Sequence, residues 1–345
     1  MRPHQSHSIA IVGAGLAGLA CARALSAAGQ PAVLFDKARG PGGRMSSRRL
    51  PEAVVDLGAQ FFSVRSDTFR QEVESWRQAG CAKAWPESLW SAESGRWRRH
   101  VDDLERLCGS PRMSAVTRHL AEGLEVIAGT RIERLEGGAG RWELVDEHGE
   151  RHGPFQRVVI TAPSPQAHVL VAPHDATLSQ ACAAVIQRPC WAAWALFDAP
   201  LPTLPGVEDD WQAVRLADPR LRFVSRNQLK PGRAEQGESL SLLANLAWSE
   251  THLEDSPDAA AAALLEAFRQ ALPEGVTLPT PRALGAHRWR YAQPDVFAGG
   301  EAVNRDYRLS ASGLALCGDG WRGPRVEDAW LSGHHLGEAL AADAP

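Results

Sequence analysis

Ser8-Ile9-Ala10-Ile11-Val12-Gly13-Ala14-Gly15-Leu16-Ala17-Gly18, an alanine-rich run on to Ala28 and Gly29, and then Ala32-Val33-Leu34-Phe35-Asp36 together decide the fold. The opening five residues form a short apolar run bounded by glycine, the pattern of a strand buried on both faces. Leu16 to Ala28 has helical character and stops at Gly29, a residue suited to the left-handed turn after a helix. Ala32 to Phe35 is a second buried strand, so residues 8–36 make one βαβ unit. Gly13, Gly15 and Gly18 stand at G-x-G-x-x-G spacing where strand gives way to helix. There they permit a tight turn, close approach of a diphosphate and close helix–strand packing. Ala14 and Ala17 fill the intervening positions, and the helix start offers unpaired N–H groups and a positive dipole end to phosphate. Asp36 closes the second strand, where an acid accepts hydrogen bonds from ribose hydroxyls, and Lys37 follows it.

A second glycine-rich stretch, Arg39-Gly40-Pro41-Gly42-Gly43-Arg44-Met45-Ser46-Ser47, begins three residues after that acid. An ordinary nicotinamide dehydrogenase has no need of a second loop there. Adjacent glycines let main chain pass beside a ligand, and Arg44 is placed to pair with a diphosphate or cover the edge of a flavin. This loop resembles the second motif of FAD proteins of the amine oxidase and p-hydroxybenzoate hydroxylase type. A late element agrees: a buried strand, Leu314 to Cys317, runs into Gly318-Asp319, and Arg325-Val326-Glu327-Asp328-Ala329 opens the last helix, Val326 to Ala342. In those families the aspartate binds the ribityl and diphosphate region. The helix start points at the flavin N1 and C2 carbonyl, where a positive end stabilises reduced flavin.

The expected architecture is therefore α/β, a Rossmann-type FAD-binding domain with an interleaved α+β substrate domain, p-hydroxybenzoate hydroxylase-like. At 345 residues the chain exceeds what one core usually serves. The FAD-binding domain is assigned residues 1–75, 110–165 and 283–345, and the substrate domain 76–109 and 166–282. Within the first, Ser110-Pro111 is read as the start of a helix to Leu120, residues 130–155 as a three-stranded meander, and Arg157 to Thr161 as a buried strand closed by Ala162. Arg131 and Ile132 are placed to present backbone to adenine, as the equivalent strand does in related FAD folds. In the substrate domain, helices are read near 175–186 and 256–272 and strands at 191–197 and 240–245.

The net charge of −4 argues against a nucleic-acid footprint. Only Lys37, Lys83 and Lys230 are lysines among 37 basic residues, an arginine excess that codon usage explains as readily as phosphate recognition. Six scattered cysteines with no C-x-x-C suggest reduced thiols, and His148 and His152 fall in a hairpin, so no metal site is expected. Glycines interrupt the apolar stretch from Ile9 to Leu25, and no uninterrupted apolar run reaches the ~20 residues of a membrane span. A cytoplasmic protein is expected, with no membrane partner and an oligomeric state the sequence leaves open.

Read together, Asp56-Leu57-Gly58-Ala59-Gln60-Phe61-Phe62, His287-Arg288-Trp289-Arg290-Tyr291-Ala292 and Gly318-Asp319 with Arg325-Val326-Glu327 resemble the bacterial renalases. The likeness also takes in Phe35-Asp36-Lys37, Gly42 to Ser47, Met113-Ser114-Ala115 and Ala329 to Gly333, so it runs nearly end to end. It implies a non-covalent FAD oxidase of isomeric 2- and 6-dihydroNAD(P). In such an enzyme hydride passes to flavin N5, NAD(P)+ leaves, and dioxygen is reduced to hydrogen peroxide. The alternatives are a flavin amine oxidase and a non-enzymatic flavin-bound sensor. Hydride loss from a dihydropyridine needs no strong base, whereas an amine must react in its neutral form. Flavin amine oxidases commonly hold a lysine near N5 through a water, and Lys230, beside Pro231 and Gly232 in a turn, is read as a poor candidate for it.

The likeness places Gly58, Ala59 and Gln60 beside the flavin ring, the alternative being a turn before a core strand. Phe61 stands where many renalases have tyrosine, so that hydroxyl is absent. His287, at the end of a strand, is read as a substrate-orienting group, and Trp289 and Tyr291 share its face by period-two spacing. Trp321 either walls the substrate pocket or packs as an ordinary aromatic. Arg226 and Asn227 either meet substrate phosphate or carboxamide or, as the favoured reading, belong to solvated surface.

Overall fold

The computed structural model describes residues 7–208, 210–233, 237–295 and 306–343. The chain starts β1 (Ile9–Val12), α1 (Leu16–Ala27), β2 (Ala32–Asp36). A second stretch carries β3 (Ser47–Arg49), β4 (Val54–Asp56), β5 (Phe62–Ser63), α2 (Asp67–Gln78), β6 (Ala82–Ala84), β7 (Leu89–Glu93), β8 (Arg96–Arg99), β9 (Arg106–Gly109) and α3 (Ser114–Ala121). A third holds β10 (Glu125–Ala128), β11 (Ile132–Gly138), β12 (Arg141–Asp146), β13 (Arg151–Phe155), β14 (Arg157–Ile160), α4 (Ser164–Val171) and α5 (Ala176–Ala184). Then come β15 (Ile186–Leu196), β16 (Ala213–Leu216), β17 (Leu221–Arg226), β18 (Ser239–Ala244), α6 (Leu246–Thr251), α7 (Pro257–Gln270) and β19 (Ala283–Asp295). The chain closes on β20 (Tyr307–Leu309), β21 (Leu314–Cys317) and α8 (Val326–Ala342).

Two compact units result, one from the described residues of 1–43, 117–187 and 294–345, the other from 44–116 and 188–293. The chain thus passes between units four times, the interleaving the sequence suggests, but along different boundaries. Residues 44–75, 110–116 and 283–293, assigned from sequence to the FAD domain, pack in the second unit, and 166–187 pack in the first. The reason is long-range pairing: β19 joins the second unit's sheet, while α4 packs on the first unit's β11 and α5 on α4.

The first unit is built on a six-stranded sheet of order β10-β2-β1-β14-β21-β20, parallel except for β20. The inner strands β1, β14 and β21 are buried on both faces, as the apolar runs IAIV, RVVI and LALC require, while the edge strands β10 and β20 are partly exposed. The 130–155 meander appears as β11-β12-β13, and α8 has the bounds read from sequence. The second unit carries a seven-stranded sheet, β19-β15-β18-β17-β16-β7-β8. One face of it is apolar: Val214, Leu216, Val224, Leu240, Leu242, Ala193 and Ala195 pack with Leu264, Leu265 and Phe268 of α7. Because side chains alternate along a strand, the intervening residues Arg215, Phe223, Ser225, Ser241 and Trp194 stand on the other face.

Two local expectations change. The helix after β9 starts at Ser114, not at Ser110-Pro111. The N–H of Ser110 is held by the Cys81 carbonyl, and the Pro111 carbonyl accepts from Arg233 Nε at 2.6 Å. His287 lies inside the long strand β19 rather than at a strand end. No helix among the described residues is long and apolar enough to cross a membrane.

Candidate active site

In the first unit the candidate cofactor residues collect where the parallel strands end, the edge at which open α/β sheets bind ligands. Gly13, Ala14 and Gly15 follow β1, Asp36 and Lys37 close β2, Arg131 and Ile132 follow β10, Ala162 follows β14, and Gly318 and Asp319 follow β21. Gly13 has φ of +109°, and a Cβ there would fall 2.4 Å from Thr161 Oγ1. A Cβ on Gly18 would fall 2.1 Å from the Gly13 carbonyl oxygen, which is the close packing the third glycine was read to allow. On Gly15, by contrast, it would meet no protein atom within 4 Å, and no side chain caps α1. The second glycine loop rests on this turn: the Gly42 N–H donates to the Ala14 carbonyl at 3.0 Å, and Gly43 lies against Gly15.

Asp36 is oriented by backbone, accepting from Ala14 N at 2.6 Å through Oδ2 and from Ala38 N at 2.7 Å through Oδ1. Lys37 is pushed below its ordinary pKa by partial burial and the Arg131 charge, with Asp36 opposing. Ala17 is buried against α8, where a Cβ on Gly333 would lie 2.0 Å from the Ala17 carbonyl. At the start of α8, Arg325 and Val326 reach the surface, Glu327 is buried, Ala329 is half-buried, and the Asp328 carboxylate accepts from Arg325 N at 3.1 Å. Trp321 is buried in this unit's core with the Arg308 guanidinium 4.9 Å from its ring centre, which is the packed-aromatic alternative.

The second unit builds a polar cluster on the open face of its sheet. Asp56, fully buried at the end of β4, takes Lys230 Nζ at 2.8 Å and Arg233 Nη2 at 2.7 Å on Oδ2, and Ser47 Oγ at 2.5 Å on Oδ1. Ser241 Oγ donates to the Asp56 carbonyl, and the Asn227 side-chain carbonyl accepts from Asp56 N and from Arg233. Gln60 Nε2 donates to the carbonyls of Asp56 (2.5 Å) and Gly58 (3.1 Å), which turns Oε1 toward Ser225 Oγ (2.8 Å) and Lys230 Nζ (3.1 Å). This network fixes the 56–60 segment. Gly58 is required there, since a Cβ would sit 1.9 Å from the Arg44 carbonyl, which also accepts from Ala59 N at 3.0 Å.

Around the segment, Trp289 Nε1 of β19 donates to the Leu57 carbonyl at 2.7 Å, and the His287 ring meets Trp289 edge-on at 4.4 Å. Arg44 Nη1 donates to the Ala292 carbonyl at 3.1 Å, while Met45 is buried. Phe61 is half-buried with Phe223 at 5.8 Å and Trp85 at 6.4 Å. Burial alone pushes the Asp56 carboxyl up. The Lys230 and Arg233 charges, with hydrogen bonds from Lys230 and Ser47, outweigh it and hold the pKa at about 2. Burial pushes Lys230 down and Arg233 adds to this, with Asp56 opposing. Its Nζ donates to Asp56 Oδ2 and Gln60 Oε1 and faces the Trp85 ring at 4.7 Å. These contacts hold the amine in the cluster and leave it engaged on two sides. His287, open to solvent on one side, is pushed below its ordinary pKa by partial burial and by the Arg48 charge.

The structure corrects the reading of three residues. Lys230 does lie in a turn, but it points inward and is fully buried. Arg226 and Asn227 are not solvated surface. Arg226 is 8% exposed, on the α7 side of the sheet over Trp211, and its guanidinium is held by Glu238 at 2.8 Å; Asn227 is fully buried under Asp56. Asp56 and Arg233 were not singled out for the cluster they form with Lys230. They are 174 and 177 positions from their partners, and no local spacing signals such a triad. Where no metal was expected, Asp146, Glu150 and His152 do approach one another. The carboxylate of Asp146 already accepts from His148 N and Glu150 N at 2.9 Å, which fastens the hairpin turn.

These residues fit FAD: an uncapped helix start beside a glycine turn with room for phosphate, an oriented acid at the ribose position, and a second glycine loop seated on the first. Residues 11–73 match the model of an NAD(P)-binding Rossmann-like domain, and residues 85–338 that of flavin-containing amine oxidoreductases. Over 63 residues the chain is 43% identical to a hydroxyneurosporene desaturase of Rubrivivax gelatinosus, a match spanning 18% of this chain and 12% of that protein. A triple variant of a putrescine oxidase superposes with a TM-score of 0.75 at 12% identity, covering 98% of this chain and 99% of its own. The cyclohexylamine oxidase of Brevibacterium oxydans IH-35A gives the same values. Likeness at that identity speaks for the fold alone, but the family match covers most of the sequence: the chain belongs to the flavin-containing amine oxidoreductases and is an FAD-dependent oxidoreductase.

Proposed function

We propose that the chain oxidises isomeric dihydronicotinamide dinucleotides, the 2- and 6-dihydro forms of NAD(P)H, as the renalases it resembles do. In the net reaction one dihydronicotinamide dinucleotide, one proton and one dioxygen give NAD(P)+ and hydrogen peroxide. FAD, when bound, supplies the two-electron acceptor. Gly13, Ala14, Gly15 and the start of α1 would hold its diphosphate, the Asp36 carboxylate would accept from its ribose hydroxyls, and Gly43, Gly318, Asp319 and the start of α8 would hold the rest of the group on the first unit. The likeness to renalases gives Arg44, Gly58, Ala59 and Gln60 a place beside the flavin, and the cluster around Asp56 fixes the backbone of that segment. His287 orients the carboxamide of the substrate while Phe61 excludes water.

One observation carries this choice: the buried lysine is ion-paired with Asp56, also donates to Gln60 Oε1, and faces the Trp85 ring at 4.7 Å. Loss of hydride from a dihydropyridine leaves an aromatic cation and requires no base, so a locked Lys230 is no obstacle. The second reading is amine oxidation, favoured by the family match and by neighbours named as oxidases of putrescine and cyclohexylamine. Oxygen uptake separates them. With 2- or 6-dihydroNAD the holoenzyme is expected to consume dioxygen and form equal amounts of NAD+ and hydrogen peroxide, and to stay idle with both amines. Uptake driven by the amines alone would establish the second reading.

A further inference from the structure

The Asp56 cluster explains how the 56–60 segment is fixed but leaves open what holds the charged part of a dinucleotide. Arg226 is excluded, because it faces α7 and is engaged by Glu238. The open face of the same sheet offers another pair. Arg98 of β8 is registered with Ser91 of β7, Ser91 with Arg215 of β16, and Arg215 with Phe223 of β17. Residues paired across neighbouring strands share a face, so these four form one row on the side away from α7. The row ends at Phe223, whose ring is 5.8 Å from Phe61 and so next to the Gly58–Gln60 segment.

Most arginines of this unit have acidic partners, among them Arg99 with Glu208, Arg106 with Asp102, Arg188 with Glu250 and Arg290 with Glu254. Arg98 and Arg215 are exposed and make no hydrogen bond or ion pair among the described residues. Arg215 is pushed below its ordinary pKa by partial burial and by the charge of Arg106, with Asp102 opposing; the Arg106 guanidinium lies 5.9 Å from the Phe61 ring. Strands two places apart are about 10 Å apart at the backbone, a gap that two arginine side chains can close around a diphosphate. Their forks match phosphate oxygens, and Arg106 beside them is already paired with Asp102.

We infer that Arg98 and Arg215 bind the diphosphate of the dinucleotide substrate and so set a preference for dinucleotide over nucleoside. This rests on the dihydronicotinamide reading, and its test keeps the two apart. Wild-type holoenzyme and the Arg98→Ala, Arg215→Ala and double variants are mixed anaerobically with 6-dihydroNAD and, separately, with the phosphate-free 6-dihydronicotinamide riboside. Binding of inorganic pyrophosphate to each protein is measured by calorimetry. Each single variant should raise the apparent Kd for 6-dihydroNAD about tenfold or more, as loss of charge-assisted hydrogen bonds implies, at an unchanged limiting rate of flavin reduction. The riboside should respond identically in all four proteins, and the double variant should lose pyrophosphate binding. An unchanged Kd for 6-dihydroNAD, or an equal weakening of the riboside, overturns the assignment. If the wild-type flavin is reduced by neither compound, the functional reading fails. The arginine pair then stands if the double variant loses pyrophosphate binding and falls if it binds as tightly as wild type.

Discussion

The two units present their chemistry in opposite ways. At the edge of the six-stranded sheet the groups facing the cofactor are mostly backbone: an uncapped helix start, the turn at Gly13, a second loop hung on the Ala14 carbonyl and an aspartate oriented by two N–H groups. On the seven-stranded sheet they are side chains, and the central one is an aspartate buried with two cations. A backbone cradle tolerates loss of a side chain and loses ligand. A buried ionic cluster, once a partner is removed, loses stability, because the remaining charges have neither water nor counter-ion.

Substitutions that separate ligand binding from stability sharpen this contrast. Asp56→Asn should have the largest effect on the fold, a loss of about 3–5 kcal/mol in denaturant unfolding, since Lys230 and Arg233 stay buried without their anion. A loss below about 1 kcal/mol would mean that the cluster does not hold the segment.

Acid should act on the same group. The Asp56 carboxyl titrates near 3.8 in an unfolded chain and at about 2 when folded, so between those values the unfolded state binds the proton first. Stability present above pH 4 should therefore decline by about 2 kcal/mol as pH falls toward 2, and the decline should be missing from Asp56→Asn. Equal slopes for the two proteins in acid unfolding would contradict the assignment.

Asp36→Ala should cost about 1–2 kcal/mol in the fold, because the exposed Ala38 N–H regains water while the N–H of buried Ala14 loses its acceptor, and the protein should purify with far less FAD. A full flavin complement would remove Asp36 from the ribose position. His287→Ala should change neither stability nor FAD content measurably and should slow only flavin reduction by substrate; an unaltered rate would remove His287 from the site.

What the sequence makes legible follows the same division. Glycines at fixed offsets between strand and helix report backbone geometry directly, so the positions of Gly13, Gly18, Asp36, Gly43 and Gly318 could be placed from local pattern alone. Strand periodicity likewise distinguishes Arg226 from Ser225: Val224 and Arg226 share one face, Phe223 and Ser225 the other, which places Arg226 on the buried α7 side and not in solvent. Asp56, Lys230 and Arg233 meet only because β4 is carried to β18 and the turn after β17 folds back upon it. No short window of residues contains that information. The unit boundaries were misplaced for the same reason, since β19 is bound into its sheet by partners far away in the chain.

The central claim is that this flavoprotein takes hydride from a dihydronicotinamide and not from an amine. Anaerobic stopped-flow mixing of the oxidised holoenzyme with 6-dihydroNAD, putrescine or cyclohexylamine reads it from the flavin absorbance near 450 nm, where loss of colour reports reduction. Rapid bleaching by the dihydronicotinamide and none by the amines is the predicted result; bleaching by an amine with the dihydronicotinamide inert would contradict it.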